Sequence, residues 1–96
     1  MHRADSEGER AGYARKLSRR GWLCKTWEGE LAMANQPGSQ ESLWFYTVRD
    51  ESIIGKIKAL EGRQVVLLYR ERKGVPSGCF GDTLYHVYDI RPVVGP

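Results

Sequence analysis

The stretch Trp22-Leu23-Cys24-Lys25-Thr26-Trp27-Glu28-Gly29-Glu30-Leu31-Ala32-Met33-Ala34 decides the fold. It alternates as a half-buried strand does: Leu23, Trp27, Leu31 and Met33 fall on one face, and Cys24, Thr26, Glu28 and Glu30 on the other. Lys25 breaks the apolar set. Gly29, near the middle of this long strand, predicts a bulge or sharp bend there, which small barrels use to close.

On the N-terminal side, Tyr13–Ser18 has strand character, and Arg19-Arg20-Gly21 reads as the intervening turn with Gly21 at positive φ. Residues 1–10 have no apolar core, so they read as a disordered polar leader and not as a signal peptide. On the C-terminal side, the polar run Asn35–Gln40 carries a Pro-Gly turn signal. Leu43–Arg49 is a strand with Trp44, Tyr46 and Val48 on one face. Asp50 is placed to cap a helix over Glu51–Leu60, where Ile53, Ile57 and Leu60 form one apolar stripe. Gly62 is the expected left-handed residue after it. Gln64–Glu71 is an apolar strand, Arg72–Asp82 a glycine-rich loop, and Thr83–Arg91 a last strand that Pro92 should end.

The order β-β-β-α-β-β is that of a five-stranded barrel of the oligonucleotide/oligosaccharide-binding (OB) kind, whose helix plugs one end. The expectation is therefore a mostly β, OB-like antiparallel barrel with one short helix, as a single domain over residues 11–92 with a tail at 93–96. A core of Trp27, Leu31, Trp44, Tyr46, Val48, Ile57, Leu67, Tyr85 and Val87 follows from the alternation. Ninety-six residues leave no room for a second core. At 41% hydrophobic and 28% charged, the composition excludes general disorder. No run approaches the roughly 20 apolar residues of a membrane-spanning helix.

Net charge is +3, of which residues 1–10 contribute −1 through Arg3 and Arg10 against Asp5, Glu7 and Glu9, leaving +4 on the rest. Such a charge permits a polyanionic partner without requiring one. The basic residues do cluster: Arg15, Lys16, Arg19, Arg20 and Lys25 surround the first turn, and Arg70, Arg72 and Lys73 open the last loop. In an OB barrel those two loops flank the face of strands 2 and 3 that binds ligand. These eight residues are the candidate ligand-binding surface, either as a groove for a phosphate backbone or as solvated charged rims. Glu28, Glu30 and Glu71 nearby repel phosphate. Trp22, Phe45 and Tyr88 fall off the inward faces and are available either to stack bases or to pack under loops.

Catalytic chemistry finds little support. His86 has Asp82 and Asp89 nearby in sequence but no second cluster to complete a metal or acid-base site. Glu28 and Glu30 lie about 7 Å apart along one strand face, compatible with paired-carboxylate chemistry and equally with an ordinary solvated face. Cys24 and Cys79 form no disulfide framework or Cys-x-x-Cys motif and point modestly to a reducing compartment. No dinucleotide fingerprint, P-loop, nucleophile elbow or zinc-protease motif is present. The expectation is a non-enzymatic binding module without metal or cofactor.

The run Gly21–Leu31, with Lys25-Thr26-Trp27-Glu28-Gly29-Glu30-Leu31 at its centre, resembles an uncharacterised family of small bacterial proteins built around a CKTWEGEL core. The resemblance extends through Trp44–Asp50, Gly62–Tyr69 and Gly81-Asp82-Thr83, most of residues 12–90. Members of that family often carry an N-terminal membrane helix. The resemblance implies the soluble domain of a membrane-tethered bacterial protein, with the tethering helix absent from this chain. Its expected location is cytoplasmic, or membrane-associated facing the cytoplasm. A protein or an envelope component is then the expected partner, and weak binding of single-stranded nucleic acid through the basic loops is the alternative.

Overall fold

A computed structural model describes residues 6–20, 26–33, 42–72 and 83–94. Its elements are β1 (Ser6–Ala14), β2 (Ser18–Arg20), β3 (Thr26–Met33), β4 (Ser42–Val48), α1 (Glu51–Ala59), β5 (Gln64–Glu71) and β6 (Tyr85–Pro92). The strands form one sheet in the order β1-β5-β6-β4-β3-β2, and a further pairing of β1 with β3 closes it into a barrel. The small five-stranded barrel with one helix is therefore present.

One feature departs from the all-antiparallel expectation. β4 and β6 run parallel, with Thr47 opposite His86. The reason is elementary. Strand directions cannot alternate all the way round a closed ring of five, so at least one neighbouring pair must be parallel. The chain supplies that pair through the crossover α1–β5, as parallel neighbours require.

β1 begins at Ser6 and pairs with β5 from Ser6↔Glu71 to Tyr13↔Gln64, so residues 6–10 are a strand and not a disordered leader. Its inward positions include Gly8 and Gly12, which is why the segment shows no apolar period. A Cβ at Gly8 would meet the Tyr69 ring, and one at Gly12 would meet the Ala32 carbonyl oxygen. The outward positions are held by charge: Arg70 Nε donates to Glu7 at 3.1 Å, and Arg91 lies 3.6 Å from Glu9.

The first strand also carries the bend. Ala14 is paired with Leu31 but Ser18 with Glu28, so Arg15, Lys16 and Leu17 stand opposite only Glu30 and Gly29. The extra residue turns Leu17 into the core, while Arg15 N–H bonds Glu30 O at 3.0 Å. Arg19 and Arg20 lie in β2, paired with Trp27 and Thr26, and are not the hairpin turn. The expected turn glycine Gly21 and the strand residues Trp22–Lys25 and Ala34 lie outside the described residues.

The bulge expected at Gly29 is not there. The β3–β4 register runs unbroken from Trp27↔Val48 to Met33↔Ser42. Gly29 instead admits a crossing side chain, since a Cβ at that position would enter the Tyr46 ring. A bulge does occur on β6, where Tyr88 is the extra residue opposite the Leu68–Tyr69 step of β5.

α1 ends one residue earlier than its periodicity suggests. Asp50 caps it by accepting from Ser52 N, Leu60 is its C-cap, and Gly62 follows with φ +82°. Ile53, Ile54 and Ile57 are buried against the barrel, and Lys56 reaches Asp89 of β6 at 3.1 Å. β6 pairs through Pro92, and Val93 N–H still bonds Gln64 O at 2.8 Å, so Pro92 does not stop the ladder. The core holds Leu31, Trp44, Tyr46, Val48, Ile57, Leu67 and Val87 as expected, while Trp27 and Tyr85 are half-buried against it.

Candidate functional site

Strands β2, β3 and β4 carry a cleft of about 330 Å³ on the outer face of the barrel. β2 contributes Ser18 and Arg20, β3 contributes Glu28, Gly29 and Glu30, and β4 contributes Phe45 and Tyr46. Lys16 enters from the bend after β1, and Thr83 from the segment before β6. The register explains the grouping. Ser18 faces Glu28 and Arg20 faces Thr26, while Phe45 faces Glu30 and Thr47 faces Glu28. Alternation then puts Ser18, Arg20, Glu28, Glu30 and Phe45 on one surface.

The Glu28 carboxylate is fixed in place. Thr26 Oγ1 donates to Oε2 at 2.6 Å, and Thr47 Oγ1 donates to Oε1 at 2.7 Å. Both threonines are buried. Each hydroxyl has one hydrogen. Thr47 has given its hydrogen to Glu28, so its oxygen serves as acceptor for Thr83 N at 3.2 Å. Thr83 Oγ1 stands 2.9 Å from Thr47 Oγ1 and accepts from Tyr85 N at 3.1 Å. A chain of hydroxyls therefore ties β3, β4 and the start of β6 together beneath the carboxylate.

Phe45 is half exposed, at 51%, and presents an apolar face beside these groups. Tyr46 is fully buried, and its hydroxyl has no hydrogen-bonding partner among the described residues. Burial pushes its phenol well above the ordinary tyrosine range, and the carboxylates of Glu61 and Glu30 push it further. A phenol held neutral in this way is no base. With two cations, two carboxylates and one aromatic face, the cleft can donate and accept hydrogen bonds to a ligand of mixed charge.

The basic residues singled out in the sequence do not converge on one groove. Lys16 and Arg20 line this cleft. Arg19 faces away, its guanidinium 6.0 Å from the Trp27 ring centroid, and Lys58 approaches the same ring at 4.2 Å. Arg15 is exposed at the bend. Arg70 and Arg72 open onto a separate, smaller cleft with Arg49, His86 and Tyr88. Lys25 and Lys73 lie outside the described residues, as do Trp22, Cys24, Cys79 and Asp82. Tyr88 is covered by the Arg70 guanidinium at 4.3 Å.

Thr47, Thr83, Arg49 and the placement of His86 escaped the sequence reading. The buried threonines carried a faint signal, as polar residues inside strands, but what joins them is the parallel β4–β6 register. Among the described residues no group of three or more His, Cys, Asp or Glu could hold a metal ion, and no helix is long and apolar enough to cross a membrane. No protein-family model, curated protein or solved structure matches this chain.

Proposed function

We propose that the chain is a non-enzymatic binding module of the OB kind, and that its ligand lies across β3 and β4. Support for the OB assignment comes from the closed five-strand ring, its single parallel pairing and the helix between β4 and β5. The observation that carries the reading is the cleft itself. It lies over the second and third strands of the barrel, the face on which such barrels take extended ligands. Its volume reaches the lower end of the roughly 300–1,000 Å³ typical of ligand sites.

The charge balance favours a mixed-charge ligand, a peptide or an envelope glycopeptide, over a polyanion. Glu28 and Glu30 accept from ligand N–H and O–H groups, Lys16 and Arg20 donate, and Phe45 covers an apolar edge. The resemblance to small bacterial proteins belongs to the same proposal, which makes the chain the soluble domain of a membrane-tethered protein. Amide shift mapping with soluble peptidoglycan fragments tests this reading. It expects saturable shifts at Arg20, Glu30 and Phe45 that Phe45→Ala abolishes.

Weak binding of single-stranded nucleic acid is the second reading, favoured by the exposed Phe45 ring beside Lys16 and Arg20. Binding of labelled oligothymidylate across a salt series separates the two. Phosphate engagement gives a log–log slope of about −0.7 per phosphate, and Glu30→Gln then tightens binding by removing a repulsive charge. A glycopeptide ligand that uses Glu30 as acceptor is weakened by the same substitution.

A further inference from the structure

Gly8, Arg10, Gly12 and Ala14 take the inward positions of β1, three small residues and one guanidinium. Arg10 is opposite Leu67, a fully buried core residue. Its guanidinium carbon lies 5.2 Å from the Trp44 ring centroid and 5.9 Å from that of Tyr69. Trp44, Tyr69 and Tyr85 in turn pack on one another, with centroids 4.9, 5.3 and 5.6 Å apart. Helix α1 follows β4 and precedes β5, whereas Trp44 lies early in β4 and Tyr69 late in β5. The cluster therefore occupies the barrel end remote from the helix.

We infer that this cluster binds an organic monocarboxylate, at a site separate from the β3–β4 cleft and independent of that cleft's function. A charge taken out of water is costly unless it is paired. Among the described residues no carboxylate pairs with Arg10. One terminal N–H donates to Met33 Sδ at 3.9 Å, a weak acceptor, and the buried Nε has no partner among these residues. The ring faces offset part of the cost by cation–π attraction, but they cancel no charge. Trp44, 7% exposed, likewise keeps its Nε1–H without an acceptor. An indole N–H and a guanidinium can only donate, so what the cluster lacks is an acceptor that carries negative charge.

The class of anion follows from the charge and the neighbours. A single guanidinium balances one negative charge, and its planar N–H groups match the two oxygens of a carboxylate. A phosphate dianion would keep a second charge uncompensated. The surrounding groups are three rings and a thioether, so the carboxylate comes on an apolar skeleton, either the last residue of a polypeptide or a free aromatic acid. Arg10, Tyr69 and Tyr85 are each half-buried, which leaves part of the cluster in contact with solvent. An apolar side chain at position 10 would fill the same inward space with no charge to compensate, and that makes the guanidinium the feature that calls for a ligand.

The test is an NMR titration of the whole chain at constant ionic strength. Benzoate and N-acetylphenylalanine are the acids, benzamide and N-acetylphenylalanine amide their neutral counterparts, and inorganic phosphate the competing anion. The inference expects saturable shifts at Arg10 Nε–H, the Trp44 indole N–H, Tyr69 and Tyr85 with the acids, none with the amides, and a weaker response to phosphate. Benzoate bound as tightly as N-acetylphenylalanine marks a free acid as the source, and a preference for N-acetylphenylalanine marks a chain terminus. Arg10→Met should weaken the acids about tenfold or more while the denaturant midpoint falls no lower than the parent's. Arg10→Lys, which keeps the charge and loses the planar fork, should fall between. Amides that bind as well as acids, shifts centred instead on Lys16 and Arg20, a linear response without saturation, or undiminished affinity in a folded Arg10→Met or Arg10→Gln protein would each overturn it.

Discussion

Gly29 and Tyr46 face each other across β3 and β4, and the tyrosine ring occupies the space a side chain at 29 would take. Gly29→Val should therefore destabilise the barrel by about 1–3 kcal/mol, read as a lower denaturant midpoint, although valine suits strands better than glycine. The interaction can be isolated. In a Tyr46→Leu background the ring is gone, and Gly29→Ala should cost less there than in the parent; equal costs in both backgrounds would refute the crossing-ring account. Tyr46 itself offers a second prediction. Its buried hydroxyl lacks a partner among the described residues, so Tyr46→Phe should stabilise the barrel by about 1 kcal/mol. The folded state holds the phenol proton to higher pH than the unfolded chain does. The stability linked to that proton is present in full below the ordinary tyrosine pKa, ~10, and is lost as pH rises above it. Tyr46→Phe should flatten that alkaline loss in a series of denaturant midpoints. At this scale the sequence was half readable. A glycine amid large residues marks a close approach, but which ring approaches depends on a register that no local pattern states.

Elements with a local cause were legible, and those with a distant cause were not. Asp50, the isoleucine stripe and Gly62 place α1 within a residue of its observed end, because caps and period act within a few residues. The gap between Arg19-Arg20 as turn and as strand arose because β2 owes its existence to pairing with β3. β1 was missed at Ser6–Arg10 because inward glycines leave no hydrophobic period. The helix also carries a pH prediction. The Asp50 carboxyl is held below its ordinary range by its hydrogen bonds from Ser52, and that of Asp89 by the Ile90 N–H and then Lys56. Folded pKa values below the unfolded ones mean that the unfolded chain binds more protons in acid. The associated stability is thus complete above the ordinary aspartate pKa, ~3.9, and is lost as pH falls through the lowered folded values. Denaturant midpoints measured from pH 7 to pH 2 should fall, and an Asp50→Asn/Asp89→Asn protein should show a shallower fall. Equal slopes for the two proteins would mean that neither aspartate anchors the helix.

For the molecule as a whole, the barrel was legible from element order, and the expected core residues are in or against the core. Of the binding surface, Lys16 and Arg20 reach the cleft beside Glu28, Glu30 and Phe45, since alternation along neighbouring strands predicts shared faces. The separation of Arg70 and Arg72 into another depression with Arg49 and His86 was not legible, because it follows from the parallel β4–β6 seam. That ring closure also governs how the chain acquires its structure in time. The β1–β5 ladder joins Ser6 to Glu71, 65 residues apart in sequence, and the seam joins Thr47 to His86 across the helix and β5. Much of the native pairing therefore rewards the chain only after long loops have closed, and the entropy of those loops is lost first. Stopped-flow refolding should run in milliseconds to seconds, as for other barrels dominated by distant contacts, and not in the microseconds of a helical bundle. Helix α1, local and capped, can form and dissolve many times while it waits for the ring to shut.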